Sequence, residues 1–83
     1  MIMEIQTALR SYIVDEVLAG NPPEGFDDDY ELIETGIIDS LSTMNLVIYL
    51  EQKHAVVFGI NEIIPRHFRS IRALSTFAQS KQT

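Results

Sequence analysis

The chain contains no cysteine, and that absence removes several kinds of chemistry at once. Without cysteine, no disulfide framework and no thiolate metal site can form. The protein also has no thiol nucleophile of its own, so any thiol chemistry has to come from an attached group. Internal repeats and low-complexity tracts are missing as well, which leaves an ordinary small globular sequence to interpret.

Long hydrophobic runs are also absent. The longest apolar segments, residues 46–50 and 55–60, are far shorter than the roughly 20 residues of a membrane-spanning helix. The N-terminus carries Glu4 and lacks the basic start and apolar run of a secretory signal peptide. We therefore predict a cytoplasmic protein that has no membrane partner.

Basic side chains are scarce and unevenly placed. Six lysines and arginines stand against twelve acidic residues, which gives a net charge of −6. Residues 1–39 hold ten acidic residues and one base, whereas residues 40–83 hold two acidic residues and five bases. An acidic chain is repelled by nucleic acids and anionic membranes, so neither is an expected partner. The asymmetry predicts two electrostatically different faces.

The 83 residues, 46% of them hydrophobic, suffice for a single domain spanning residues 1–83. Apolar side chains at helical spacing predict a first helix over about residues 3–19, ended by Gly20. A second helix is expected from Ser40 to about Lys53. The last helix is expected to begin after an N-cap at Ser70 and to run to about Ala78.

The connecting segments contain less regular patterns. Residues 20–39 predict a long loop with a short helical turn near 30–34, held down by four apolar anchors: Phe26, Tyr30, Leu32 and Ile33. Residues 55–60 resemble a strand in composition but have no strand to pair with, so we interpret them as a connector that plugs the core. A short third helix is expected over residues 61–64, ended by Pro65. The predicted fold is all-α, a small bundle of three main helices and one short helix.

Asp39 and Ser40 stand where the acidic loop gives way to the second helix. Aspartate and serine are favoured at helix N-termini because their oxygens accept free backbone N–H groups. The pair therefore has a plain structural explanation, namely helix capping. The same position leaves the hydroxyl of Ser40 exposed and able to carry a group.

The segment from Gly36 to Leu41 resembles the phosphopantetheine attachment site of acyl and peptidyl (aminoacyl) carrier proteins of the discrete type. Leu32, Leu46, Leu50 and Glu51 match that family's spacing, and residues 62–71 resemble its link to the last helix. The resemblance covers essentially the whole chain. It implies the four-helix carrier fold, with Gly36, Asp39 and Leu41 around a Ser40 that bears 4′-phosphopantetheine.

The resemblance also implies a function and a set of partners. The protein would be a monomeric carrier of a thioester-linked cargo and not an enzyme. Its partners would be a phosphopantetheinyl transferase, an adenylate-forming loading enzyme and a downstream synthase or tailoring enzyme. The rival hypothesis is a carrier-like docking module that is never modified. A calcium loop at residues 27–29 and a hydrolase using His54 or His67 fit the sequence poorly, and we expect a solvated acidic loop and no metal site.

The chain departs from fatty-acid carriers in its charges. Ser42, Asn45 and Gln52 occupy positions that are often acidic in those proteins, and three arginines recur near the last helix. Charge complementarity governs partner choice, so these departures favour a natural-product pathway. The cargo, an amino acid or an acyl group, is not indicated. The predicted partner surface combines apolar and basic side chains: Leu41, Met44, Ile48, Arg66 and Arg69.

Overall fold

In the computed structural model, which describes residues 4–82, the chain forms four α-helices and no β-strand within that range. The helices and shorter helical turns, in chain order, are α1 (Ile5–Tyr12) continued by a π-helical turn (Ile13–Val17), α2 (Ser40–His54), a 3₁₀ turn (Ile60–Glu62), α3 (Pro65–Phe68) and α4 (Ile71–Lys81). The all-α fold with three main helices and one short helix is confirmed. None of the described helices is long and apolar enough to cross a membrane.

One hydrophobic core joins the helices. Each long helix contributes apolar side chains at helical spacing, and the helical periodicity of the sequence identifies most of them correctly. Leu46 and Leu50 of α2 are completely buried, as are Leu9 and Ile13 on the first helical segment. In α4, Ile71, Leu74 and Ala78 are buried, and Ser70 caps the helix by accepting a hydrogen bond from Ala73 N at 3.0 Å. This last helix extends three residues beyond the predicted end.

The first helix ends much as the sequence indicates. Its helical turns begin at Ile5 and finish at Val17, and residue 3 of the predicted range lies outside the described residues. Ala19 and Gly20 then take positive φ angles of 53° and 80°, and Gly20 N donates to Val14 O at 2.7 Å. Glycine tolerates this left-handed conformation without a Cβ clash, which is why it ends helices so often.

The long loop is attached to α4 through backbone bonds. Leu32 N donates to Arg69 O at 2.7 Å, and Arg72 N donates to Asp28 O at 2.9 Å. Leu32 is a buried anchor as predicted, but Ile33 is 36% exposed, so its assignment as an anchor is wrong. Ile38 is the buried side chain instead, because the turn lies over residues 32–36 and directs the following isoleucine into the core.

The acidic run of this loop is not simply solvated, which corrects the sequence-based expectation. Asp28 is buried and accepts hydrogen bonds from Arg10 Nε at 2.8 Å, Arg10 Nη2 at 2.6 Å and Gln6 Nε2 at 2.5 Å. Asp29 pairs with Arg72 at 2.6 Å. The hydrogen bonds from Arg10, against the opposing effect of burial, lower the pKa of Asp28 from 3.8 to about 2. Asp28 therefore fastens the loop to α1.

Asp28→Asn should destabilise the domain at neutral pH by about 1 to 2 kcal/mol, after allowance for solvent screening of the pair. Because the folded-state pKa is lowered, this contribution is present above pH 3.8 and is lost as the pH falls toward 2. Denaturant titrations at pH 7 and at pH 2 measure it. The two proteins should differ at pH 7 and converge at pH 2, whereas the exposed Asp15→Asn control should match wild type at both. A constant difference at both pH values would contradict the role of the Asp28 charge.

The segment between α2 and α4 holds one partly confirmed prediction and one correction. Val56 is fully buried and the ring of Phe58 lies 5.5 Å from that of Phe68, so these two residues plug the core as expected. Val57 and Ile60 are 58% and 88% exposed, so the rest of residues 55–60 does not. Pro65, however, begins α3 and does not end a helix. Proline suits the first helical position because its φ is already helical and its missing N–H would have no helical partner there. The residues before it form only the short 3₁₀ turn.

Candidate functional site

Ser40 is the first residue of α2, and Asp39 is the N-cap of that helix. Asp39 Oδ1 accepts a hydrogen bond from Ser42 N at 2.9 Å, and Asp39 O accepts one from Thr43 N at 2.9 Å. The bond from the Ser42 backbone lowers the pKa of the Asp39 carboxyl, which is therefore charged at neutral pH. The capping role of Asp39 is thus observed directly. It leaves the neighbouring Ser40 hydroxyl exposed to solvent and not required for capping.

Gly36 contributes to the site through its backbone conformation. Its φ is +79°, and its N–H donates to Ile33 O at 3.0 Å to close the turn that leads to Asp39. A Cβ at this position would meet nothing within 4 Å, so a tight approach of neighbouring atoms is not the reason for glycine. The reason is the left-handed φ, which other residues adopt only with strain.

A groove of about 570 Å³ opens beside Ser40. The groove lies between the loop before α2, the first turns of α2 and the segment around α3, and its lining is mostly apolar: Ile33, Gly36, Ile38, Asp39, Ser40, Thr43, Met44, Ile63, Ile64, Pro65 and Phe68. The sequence did not identify the isoleucines as part of the site, because they lie in irregular segments where no periodicity marks a shared face. The only feature of the sequence that could have indicated them is that they are apolar residues on either side of turns.

Three apolar side chains on α2 face solvent. Leu41 is 71% exposed, Met44 is 44% exposed and Ile48 is 47% exposed, so none of the three is buried in the core. We call these three residues the apolar strip. Met44 also lines the groove beside Ser40, which places part of the strip next to the candidate attachment site. Their contact with a partner remains a prediction.

The three arginines near α4 lie on a different part of the surface from the apolar strip. Arg66, Arg69 and Arg72 line a second groove of about 560 Å³ along α3 and α4, and none of them lines the groove beside Ser40. Pro65 connects the two regions, since it lines the groove beside Ser40 and immediately precedes Arg66. The predicted partner surface therefore has two separate parts, one apolar and one basic.

Both histidines interact with aromatic rings. His54 Nε2 lies 3.3 Å from the hydroxyl of Tyr49, whose pKa is raised by burial, and the two rings meet edge to face. The ring of His67 stacks on Phe77 with centroids 3.9 Å apart. These contacts agree with a packing role for His54 at the edge of the core.

A small helical bundle with an exposed serine at the start of its second helix has the architecture of a carrier domain, and known proteins agree with that class. Over 75 residues the chain is 29% identical to a protein described as "Probable acyl carrier protein PigG" from Serratia sp. (strain ATCC 39006). The alignment covers 90% of this chain and 85% of the relative. No protein-family model matches. The chain is thus similar to an acyl carrier protein over most of its length, and this similarity supports a carrier role.

A solved structure also resembles the chain. It is described as "Crystal structure of FAD-dependent dehydrogenase", and the two superpose with a TM-score of 0.74 at 30% sequence identity. The match covers 83% of this chain and 96% of the other, so the two chains are of similar length. The fold of this protein is thus found in an experimental structure whose description names a flavin enzyme.

Proposed function

We propose that Ser40 carries 4′-phosphopantetheine and that the protein is a discrete carrier of a thioester-linked cargo. The observation that carries this proposal is the exposed Ser40 hydroxyl directly after a helix-capping Asp39. The similarity to an acyl carrier protein adds to it, because the resemblance of residues 36–41 to that family's attachment site implies modification at this serine. The absence of cysteine is consistent too, since the reactive thiol would belong to the attached group.

The residues around Ser40 fit such a group. A phosphodiester on Ser40 would place an anion at the N-terminus of α2, where the helix dipole favours negative charge by about 0.3–1 kcal/mol. Asp39 already accepts the Ser42 N–H, so the diester does not replace the cap. The bound group supplies a flexible arm that ends in a thiol. The chain's own residues hold that arm at one fixed point.

The groove beside Ser40 bears on the kind of cargo. Its lining has no basic side chain, and Asp39 is its one charged residue. The groove is open to solvent, so a cargo lying in it would stay within reach of enzymes. We propose an aminoacyl or short acyl cargo in a natural-product type of pathway.

We further propose that the chain itself is not an enzyme. His54 and His67 interact with Tyr49 and Phe77, so neither is arranged as a base for Ser40. The phosphopantetheinyl transferase supplies the catalytic groups for modification. Asp39 would serve both as helix cap and as a contact for that transferase.

The partners would be the transferase, an adenylate-forming loading enzyme and at least one tailoring enzyme. A flavin-dependent dehydrogenase is the candidate we propose for the tailoring enzyme, because a chain of this fold and length occurs in a crystal structure described as that of an FAD-dependent dehydrogenase. The apolar strip would provide a shared contact for these enzymes, since exposed leucine, methionine and isoleucine side chains bury well in a partner's pocket. Each complex would be short-lived, because a carrier has to leave one enzyme before it reaches the next.

The test is intact mass before and after incubation with coenzyme A and a broad-specificity phosphopantetheinyl transferase. A sample that is folded and unmodified at the start should gain the mass of one phosphopantetheine group. Peptide mapping should place the added mass on the fragment that contains Ser40. No gain would contradict the carrier proposal and would favour the second candidate, a docking module that is never modified, to which the exposed apolar strip would also contribute.

A further inference from the structure

The groove along α3 and α4 is the largest feature of the molecule that carrier chemistry at Ser40 does not use. Its lining comes from α3, the link to α4, the length of α4 and Asp29 of the long loop, and three of the lining residues are arginines. The three differ in what they bind within the protein. Their partners therefore indicate which of them remain available to another molecule.

Arg72 is occupied. Its Nε and Nη2 atoms donate to the two carboxylate oxygens of Asp29 at 2.6 Å and 3.2 Å, which is the two-point geometry that arginine and carboxylate favour. This pair joins the loop to α4. Arg72 is thus a structural residue, and its charge is largely neutralised.

Arg66 and Arg69 are not occupied in this way. Arg69 Nη2 lies 3.7 Å from Glu31 Oε2, too far for a hydrogen bond, and both side chains are well exposed. Arg66 is exposed and forms no ion pair with any residue in the range 4–82. Two guanidinium groups therefore face one groove with most of their N–H donors unused, and carboxylates are the protein groups that match those donors.

The groove also offers a flat apolar wall. His67 stacks on Phe77, and Lys81 lies over the same ring at 5.8 Å while its amine donates to Glu62 at 2.8 Å and 3.0 Å. Because these side chains hold one another in place, little order has to be gained when a partner binds. An aromatic wall beside arginines is a combination enriched in the centres of protein interfaces.

The exposed face of α2 itself carries no net charge to steer a partner. Among the exposed residues of α2, only Glu51 and Lys53 are charged, and their charges cancel. Pro65 lines the groove at Ser40 and also lines a smaller groove together with Arg66 and Arg69, which brings the two arginines close to the Ser40 groove. An enzyme whose active-site entrance lies over Ser40 would reach Arg66 and Arg69 with the rim of that entrance.

From these contacts we propose that the enzymes acting on the cargo dock an acidic segment in this groove, with carboxylates of aspartate or glutamate side chains on Arg66 and Arg69. The proposal rests on the carrier function proposed above and adds the charge of the partner. Docking would thus depend on basic groups of the carrier on α3 and in the link from α3 to α4, whereas α2 contributes apolar contacts only.

Titration of the ¹⁵N-labelled protein with a hexaglutamate peptide at low ionic strength tests the proposal without an identified enzyme. We expect shift changes at the backbone amides of residues 66–77, weakened by about 0.2 M salt because surface ion pairs are screened. Arg66→Gln and Arg69→Gln should each raise the dissociation constant about twofold to fivefold, the range for exposed ion pairs. Lys53→Gln removes the same charge from α2 and should leave the constant unchanged.

Several results would overturn the proposal. Three of them concern the peptide: no response to it, shift changes located outside residues 66–77, or an equal effect of Lys53→Gln on the dissociation constant. The fourth is a set of shift changes that depends on protein concentration alone, which would mean that the acidic face of a second copy occupies the groove. Modification at Ser40 is measured by mass on the same variants. If wild type fails to gain phosphopantetheine, the carrier proposal is refuted. If wild type is modified normally but does not bind the peptide, only the docking proposal is refuted.

Discussion

Ser40→Ala is expected to remain entirely unmodified by a phosphopantetheinyl transferase while it folds as wild type does. The substitution removes the one oxygen to which the phosphate would be joined, so the loss should be complete. Stability should change by less than about 0.5 kcal/mol, the usual range for an exposed residue without a structural role. The helix cap is retained, because the oxygen that accepts the Ser42 N–H belongs to Asp39. Intact mass and denaturant titration measure the two expectations on the same preparation.

Ser42→Ala is the matched control for that experiment. Ser42 lies in the same helical turn and also carries a hydroxyl, but it is partly buried while Ser40 is exposed. We expect Ser42→Ala to gain phosphopantetheine as wild type does. Mass gain on Ser40→Ala would place the attachment site on another hydroxyl. A Ser40→Ala protein that still supports the activity of its pathway would refute the carrier function itself and favour the unmodified docking module.

The long helices could be predicted from the sequence because their signals are local. Leu46 and Leu50 repeat at helical spacing, and Ser70 stands directly before a periodic segment, so helix position and inward face follow from neighbouring residues alone. The candidate attachment site could be predicted for the same reason, since Asp39 and Ser40 mark the start of a helix. Helix ends were less certain, and α4 extends three residues past its predicted end.

Other features depend on residues that are distant in the sequence, and local patterns do not reveal them. Asp28 is a structural residue because Arg10 and Gln6 reach it from α1, a pairing that no spacing predicts. The exposed Ile33 and buried Ile38 were assigned wrongly or missed, because a loop has no period that identifies its inner face. Pro65 was assigned to the wrong end of a helix, since proline is compatible both with a helix start and with the residues beyond a helix end.

The groove along α3 and α4 shows both a feature that the sequence reveals and one that only distant contacts reveal. The recurrence of arginines near the last helix was visible in the sequence and suggested a partner surface. Only the contacts separate them, because Arg72 is bonded to Asp29 while Arg66 is not paired within residues 4–82. The charge that a partner would encounter is therefore smaller and more localised than the sequence count of basic residues implies.

Leu46→Ala and Leu41→Ala should differ greatly in stability although both remove the same atoms from the same helix. Leu46 is fully buried, and its truncation should cost about 2–5 kcal/mol, the sum of lost burial and a residual cavity. Leu41 is 71% exposed, so its truncation should cost less than about 0.5 kcal/mol. A small domain has a total stability of only about 5–15 kcal/mol, so Leu46→Ala should be partly or largely unfolded at moderate denaturant concentrations.

Denaturant titration followed by circular dichroism measures this difference, and modification kinetics give the opposite order for the two leucines. Among molecules that remain folded, Leu46→Ala should be modified at the wild-type rate, because its side chain is inside the core. Leu41→Ala should be stable but modified more slowly if the apolar strip contacts the transferase, as proposed. Equal stability losses would contradict the orientation of α2 in the bundle. A normal modification rate for Leu41→Ala would leave that orientation intact and remove Leu41 from the surface that contacts the transferase.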